Sequence, residues 1–207
     1  MRAGQTMVDD QGYQVALFPM EYIQISQGEN GSYSHQGILA IDFLGWGPTG
    51  RILHCPYYAP FDCKVVYHGS YYNVWESLND VHTPSGIRKV TFEVAHDENL
   101  FPLGTVKNMG EEIGKTGVAG NVTGDHVHLN SAFGTYQGFY TVSSGKRQLV
   151  NSSHIYKTFY VNDTKIKNGY GYNWVKFSGG HPQPIYNKYK FKWVLYANKL
   201  RQNRLIN

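Results

Sequence analysis

The stretch Gly120-Asn121-Val122-Thr123-Gly124-Asp125-His126-Val127-His128-Leu129 joins a glycine-rich turn to the start of a β-favouring run. Glycine and asparagine clusters mark turns, and short runs rich in β-branched and aromatic residues between them indicate strands. No window of about 12 residues keeps a helical period. The sequence therefore predicts a mainly β protein, an antiparallel sheet of hairpin or sandwich type with few short helices. The predicted strands are Tyr22–Ser26, Gly37–Leu44, Cys63–Tyr67, Lys89–Ala95 and His126–Ala132, and one short helix is predicted around Tyr71–Asn79.

The composition excludes several protein classes. The chain has 207 residues, of which 15% are aromatic and 16% are charged, and it contains 23 glycines. This profile is untypical of a helical bundle or a disordered tail. No apolar run reaches the roughly 18 residues that a membrane span needs, and Met1–Asp10 lacks the basic and apolar stretches of a secretory signal peptide. We therefore expect neither a membrane span nor a signal peptide. The chain is also long enough to bury one hydrophobic core.

The net charge of +4 conceals two oppositely charged parts. Residues 1–145 contain 7 Lys and Arg against 14 Asp and Glu, whereas residues 146–207 contain 12 against 1. An asymmetry of this kind predicts that the basic part meets a polyanion, and a charged, solvated surface is the alternative. Because aromatic residues also concentrate beyond residue 156, we predict one domain over residues 13–160 and a basic, aromatic C-terminal segment over residues 161–207.

Two cysteines, Cys55 and Cys63, are too few for a disulfide framework. Their spacing permits a bridge across a turn or two free thiols, and the sequence favours free thiols.

The pair His126-Val127-His128 is the first candidate for chemistry. Residues i and i+2 of a strand point to the same face, so the two imidazoles converge on one spot. That geometry suits one metal ion, or one metal ligand beside one acid–base group. For an isolated pair of this kind, an incidental surface position is the alternative.

His35 and Asp42 are the second candidate. The segment between them contains glycine and β-branched residues, which indicates a loop residue followed by a residue within or at the end of a strand. Histidine and aspartate are zinc ligands, and a catalytic zinc site keeps three protein ligands and one open position. His35, Asp42 and either His126 or His128 would supply three ligands with a net charge of −1.

Taken in order, these residues resemble the lysostaphin-type (LytM-like) zinc endopeptidases of bacterial cell walls, which include phage endolysin and virion-associated domains. The resemblance spans roughly residues 18–140 and is carried by four blocks, namely Ser34–Phe43, Ala59–Gly69, Gly110–Gly117 and Gly120–Leu129. Four positions depart from the usual pattern: Cys63 replaces a glycine, Asp125 a frequent proline, Asn130 a common acidic residue, and Val94 the usual aromatic residue two positions before His96.

The resemblance implies a peptidase domain with a central groove that holds one zinc ion per chain. The metal ligands that it implies are His35, Asp42 and His128. His126 would then act as general base or transition-state stabiliser beside the metal water. His96, which follows the strand Lys89–Ala95, would help to stabilise the oxyanion, and Tyr33 would line the groove.

The implied activity is hydrolysis of peptide bonds in the stem peptide or cross-bridge of peptidoglycan, for phage-mediated lysis or wall penetration. A metal-binding but non-catalytic wall-binding or virion module is the alternative. Residues 146–207 would bind anionic wall polymers, or else complete the fold; they lack a recognised nucleic-acid motif, so no nucleic-acid partner is expected. The implied location is the host cytoplasm before holin-type release, or the virion, with action at the cell wall.

Overall fold

A computed structural model describes residues 1–162, 164–167 and 184–188. Short β-favouring runs between glycine turns become strands, and the described chain is nearly all β. The strands are β1 (Tyr22–Gln27), β2 (Ala40–Gly47), β3 (Gly50–Arg51), β4 (Pro56–Tyr58), β5 (Cys63–His68), β6 (Tyr72–Ser77), β7 (Val81–Thr83), β8 (Gly86–Arg88), β9 (Val90–Ala95), β10 (Val106–Lys107), β11 (Glu112–Lys115), β12 (Val127–Phe133), β13 (Phe139–Thr141), β14 (Arg147–Leu149), β15 (Ser152–Ser153) and β16 (Lys165–Lys167), and the helix is α1 (Ile155–Thr158).

One large sheet organises the molecule. Its strand order is β10-β5-β6-β9-β12-β2-β1-β16, with β15 paired to β12 and β3 paired to β2. Among the described strands of this sheet the pairings are antiparallel, except that β16 runs parallel to β1. Small two-stranded sheets form from β4 with β11, β13 with β14, and β7 with β8. The sheet is therefore mixed, and its centre is the antiparallel trio β9-β12-β2.

The central strands are covered on both faces. Phe92 and Trp75 point into the main apolar core, where both are fully buried. On the opposite face, Tyr72 and Val74 pack with Leu149 of the β13–β14 hairpin. Strands buried on both faces lose the apolar–polar alternation that marks a half-exposed strand. This double cover explains why strand β6 was hard to predict from its sequence.

The prediction of a mainly β fold with few short helices is confirmed. The prediction of a helix around residues 71–79 is wrong, because this segment forms the doubly covered strand β6. The strand predicted from Gly37 begins at Ala40 instead, since Gly37 occupies a turn with φ of 81°. The other predicted strands match β1, β5, β9 and β12 to within one residue at each end.

Both cysteines are buried free thiols, as the sequence favoured. Burial raises the pKa of Cys55 to about 11, with a smaller contribution from the Asp125 carboxylate, so this thiol stays protonated near neutral pH.

Among the described residues, no helix has the length and apolar character of a membrane span. The division between residues 160 and 161 stays a prediction; β16 lies beyond it and pairs with β1, while most of the C-terminal segment falls outside the described residues.

Candidate metal centre

The pairing of β2 with β12 places Asp42 directly opposite His128. Residues directly opposite on antiparallel strands have Cβ atoms about 5 Å apart on the same face of the sheet. His35 arrives from the turn before β2 and is almost completely buried. Backbone bonds from His35 N to Gly31 O and from Ile38 N to His35 O fix this turn. Two adjacent strands and one fixed turn thus bring the three predicted ligands together.

The three side chains converge through one atom each. Nε2 of His35 lies 3.2 Å from Oδ1 of Asp42 and 3.2 Å from Nδ1 of His128, and that Nδ1 lies 3.0 Å from the same Asp42 oxygen. In a tetrahedral zinc site with bonds of about 2.0–2.1 Å, neighbouring ligand atoms are about 3.3 Å apart. The donor atoms and their spacing therefore fit a zinc ion.

The proton positions also favour a cation at this point. Nδ1 of His35 lies 3.1 Å from the carbonyl oxygen of Gly28 and donates to it, because a carbonyl only accepts. In the neutral imidazole this leaves a lone pair on Nε2, which faces Asp42 and His128. Two lone-pair atoms and the ring nitrogen of His128 meet at one point, where a metal ion would satisfy all three.

Gln27 orients the aspartate and was not identified from the sequence. Its side-chain nitrogen donates to Oδ2 of Asp42 at 2.9 Å, which leaves Oδ1 for the metal. Its side-chain oxygen accepts from the backbone N–H of Ser34 at 2.8 Å, so it also fixes the turn that carries His35. Such outer contacts orient metal ligands. Nothing in a glutamine at the end of a strand signals this role before the fold is known.

The electrostatics of the group keep Asp42 ionised. Burial by itself would raise the pKa of Asp42, but its close contacts with His128 and His35 outweigh it and hold the pKa well below the usual range. For His128, burial disfavours the charged form, yet the hydrogen bond and charge of Asp42, with the charge of Glu93, raise its pKa. The charges of Asp42 and Glu93 thus favour a cation at this point of the site.

The other two predicted site histidines lie beside this group. His126 forms a backbone bridge with Gly117 just before β12, and its Nε2 is 3.9 Å from Oδ1 of Asp42. His96 follows the end of β9 with a positive φ of 83°. The rings of His96 and His126 are 4.5 Å apart between centroids. The structure therefore gathers five predicted residues into one site.

Both of these histidines have the same proton arrangement. Nδ1 of His126 donates to Gly124 O at 2.7 Å, and Nδ1 of His96 donates to Ala119 O at 2.8 Å. In each neutral ring, Nε2 is then a proton acceptor. Burial, with the nearby histidines, lowers the pKa of His96 to about 4. His96 is therefore neutral at pH 7, and its Nε2 donates to an oxyanion only after it has taken up a proton.

The site opens into a cleft of about 1020 Å³. Tyr33 lies at its rim and is 75% exposed, so it is available to a bound ligand but is not part of the metal centre. Two further groups in the cleft, Glu93 and Arg147, were not identified from the sequence. Glu93 lies within the predicted strand before His96, and Arg147 was counted with the basic C-terminal part rather than with the site. Tyr71, which stacks on His96 with the rings 5.8 Å apart and nearly parallel, was also missed.

Comparisons with known proteins give a phage relative of high sequence similarity and several solved structures of low sequence identity. No protein-family model matches the chain. Morphogenesis protein 1 of Bacillus phage B103 is 44% identical over 169 residues, which cover 79% of this chain and 44% of that protein. The chain thus spans less than half the length of this phage relative.

Several solved peptidase structures are similar to part of the chain. The catalytic domain of the prophage-encoded protein EnpA from Enterococcus faecalis is 16% identical, with a TM-score of 0.43 over 66% of this chain and 93% of that one. The catalytic domain of lysostaphin from Staphylococcus simulans is 16% identical, with a TM-score of 0.38 over 54% and 79%. A zinc-containing peptidase from Vibrio cholerae is 20% identical, with a TM-score of 0.39 over 62% and 43%.

Proposed function

We propose that this chain is a zinc-dependent endopeptidase that hydrolyses peptide bonds in the stem peptide or cross-bridge of bacterial peptidoglycan. The observation that carries the proposal is the convergence of His35, Asp42 and His128, with donor atoms 3.0–3.2 Å apart. The resemblance of the four sequence blocks to lysostaphin-type enzymes supports the choice of substrate. His126 and His96 beside the ligands support catalysis rather than metal storage.

When bound, zinc supplies Lewis acidity that polarises a carbonyl and lowers the pKa of a bound water toward about 7. His126 accepts the proton of the attacking water on Nε2, because its Nδ1 proton is held by Gly124 O. A neutral imidazole with a free Nε2 is the form that a general base needs.

His96 completes the proton path in this proposal. Its ring centroid lies 4.5 Å from that of His126, so the two imidazoles lie side by side at the metal centre. As imidazolium, His96 then has an Nε2–H that donates to the tetrahedral oxyanion, and it returns the proton to the leaving amine. Tyr71 holds the His96 ring plane by stacking on it.

The phage relative supports a role in phage infection. It is called a morphogenesis protein, and 79% of this chain aligns with it. We propose that the peptidase acts at the host wall during phage-mediated lysis or wall penetration, in keeping with a cytoplasmic or virion-associated protein.

The experiment is a zinc titration of chelator-treated protein on purified sacculi. We expect clearance of the sacculi to stop on chelation and to return as zinc reaches one equivalent per chain. Clearance that survives complete removal of zinc would contradict the proposal. Stoichiometric zinc binding with no cleavage of any wall would support the non-catalytic alternative instead.

A further inference from the structure

Arg147 lies where two cavities meet. It is the first residue of β14, and its side chain is 40% exposed. It lines the cleft of the metal centre and also a neighbouring groove of about 570 Å³. Arg147 and Tyr71 belong to both cavities. A substrate that continues from the metal centre into the groove would pass this guanidinium.

The guanidinium is held in a fixed orientation. One terminal nitrogen donates to Oε1 of Glu93 at 3.0 Å, and the other donates to the hydroxyl of Tyr72 at 2.8 Å. The rings of Phe139 and Tyr72 flank it, with centroids 3.9 and 4.5 Å from the guanidinium carbon. A planar guanidinium held by hydrogen bonds and aromatic rings loses little conformational entropy when it binds a further ligand.

The contacts of Arg147 leave part of its binding capacity unused. A guanidinium has five N–H donors, and two of them serve Glu93 and Tyr72. The remaining donors have no hydrogen-bond partner among the residues that the structure describes, and the exposed fraction of the side chain faces the cavities. An ion pair that served stability alone would gain little over apolar residues of the same size.

The charge around Arg147 favours an anionic ligand. Glu93 is buried behind it on β9, while Lys146 lines the same cleft. The acidic residues of the cleft wall, Asp42 and Asp125, are also buried and bonded to protein groups. Cationic groups thus face the solvent of this end of the cleft, and guanidinium groups bind carboxylates through two parallel hydrogen bonds.

We propose that Arg147 is a specificity-determining residue that binds a free carboxylate of the substrate peptide at the junction between the cleft and the groove. The inference rests on the proposed function, because it names a chemical feature of the same substrate. It predicts a preference for wall peptides with free carboxylates over the same peptides with carboxamides.

The test compares two forms of one substrate. The probes are cross-linked disaccharide-peptide dimers released from Bacillus sacculi by a muramidase, and the same dimers after carbodiimide conversion of their carboxylates to primary carboxamides. For the zinc-loaded protein we expect kcat/KM to fall about 10- to 100-fold on amidation, the usual range for one charge-assisted contact. Equal kcat/KM for both forms would overturn the proposal.

Variants separate recognition from structure. Arg147→Gln should lower kcat/KM on the native dimers to the level of the amidated dimers and should show no further loss on the latter. Arg147→Lys keeps a charge and should retain part of the preference for native dimers. Lys157→Gln, on helix α1 and not among the residues that line either cavity, should retain all of that preference. A folded Arg147→Gln protein that still discriminates would contradict the assignment. If Arg147→Gln fails to fold because it leaves Glu93 unpaired, the ratio of kcat/KM for native and amidated dimers, measured with wild type and Arg147→Lys, still tests whether Arg147 binds the carboxylate.

A binding readout distinguishes this inference from the proposed function. Calorimetry with the zinc-loaded protein measures the affinity for both dimers without requiring turnover. Tighter binding of the native dimer with no cleavage would support the role of Arg147 and reject the peptidase. Cleavage of both dimers at the same rate and with the same affinity would reject the role of Arg147 and keep the peptidase.

Discussion

His126 and His128 are two residues apart near one strand end, yet their neighbours differ. Nδ1 of His128 is 3.0 Å from Oδ1 of Asp42, whereas Nε2 of His126 is 3.9 Å from that oxygen and its ring contacts His96. The sequence alone left open which member of the pair is the ligand. The shorter distance favours His128 as ligand and leaves His126 beside it.

Substitution of each histidine should separate metal binding from turnover. We expect His128→Ala to lose both zinc and activity, because one of three protein ligands is gone. His126→Ala should keep about one zinc per chain and lose turnover by about 10²- to 10⁴-fold, the range for a general base. Atomic emission for zinc and release of wall fragments are the measurements. A folded His126→Ala protein with normal turnover would contradict its assignment.

His96 should make the stability of the protein depend on pH. Its pKa is about 4 in the folded state, mainly because of burial, against about 6.5 when unfolded. Above pH 6.5 both states are neutral at this residue; as the pH falls toward 4, only the unfolded state takes up the proton, so stability is lost. The loss approaches about 3 kcal/mol.

The measurement is urea denaturation of wild type and His96→Gln at pH 7 and pH 4.5. The wild type should lose more free energy of unfolding than the variant between these two pH values. The same pH dependence of the free energy of unfolding in both proteins would show that the pKa of His96 is not lowered in the folded state.

At the scale of the elements, a glycine lies against the backbone of both His96 and His126. Gly117 exchanges two backbone hydrogen bonds with His126, at 3.0 and 3.1 Å. A Cβ added at Gly117 would lie 2.2 Å from the backbone oxygen of His96. The absence of a side chain thus allows the end of β9 and the start of β12 to approach each other.

Gly117→Ala should therefore displace His96 relative to His126. We expect turnover to fall at least about tenfold with the zinc content kept, because small misplacements of catalytic groups are costly. Gly124→Ala is the matched control, since it keeps the backbone carbonyl that accepts from Nδ1 of His126 and its added Cβ meets nothing within 4 Å. Full activity in Gly117→Ala together with unchanged stability would contradict the positioning role of this glycine.

Strand spacing and residue type allowed much of the site to be predicted. His35, Asp42, His126 and His128 carry metal and acid–base chemistry in their residue types, and the alternation of a strand places the last two on one face. Gln27 and Arg147 were not identified, because glutamine and arginine are common on surfaces and only the tertiary fold brings them to the site. The segment 72–77 was assigned to the wrong structure because a strand buried on both faces has no alternation.

At the scale of the whole molecule, the positive charge of residues 146–207 is found in two places. Lys146 and Arg147 belong to this basic part of the sequence, but the structure places them in the cleft. Residues 189–207 carry 5 Lys and Arg and no acidic residue, and they lie outside the described residues. The role predicted for residues 146–207 in binding anionic wall polymers therefore stays a prediction.

A chain that ends after Lys188 tests that role and keeps the described contact of Tyr186 with His82 and Tyr160. The full chain should bind walls about tenfold more weakly as NaCl rises from about 0.05 to about 0.5 M, because screening weakens exposed charge interactions. The shortened chain should bind weakly at both concentrations. On walls stripped of anionic polymers, the full and the shortened chain should bind with the same affinity. If the shortened chain binds intact walls as tightly as the full chain does, the C-terminal segment does not bind anionic wall polymers.

The central claim is that the three convergent ligands make this chain a zinc peptidase of the bacterial wall. Mass spectrometry of the soluble products from purified sacculi tests it most directly, with the zinc-loaded wild type compared with His128→Ala. The account predicts fragments with new amino and carboxyl ends at peptide bonds, intact glycan linkages, and no such fragments from the variant or after chelation. Cleavage of glycan bonds alone, or the same peptide fragments from His128→Ala, would contradict it.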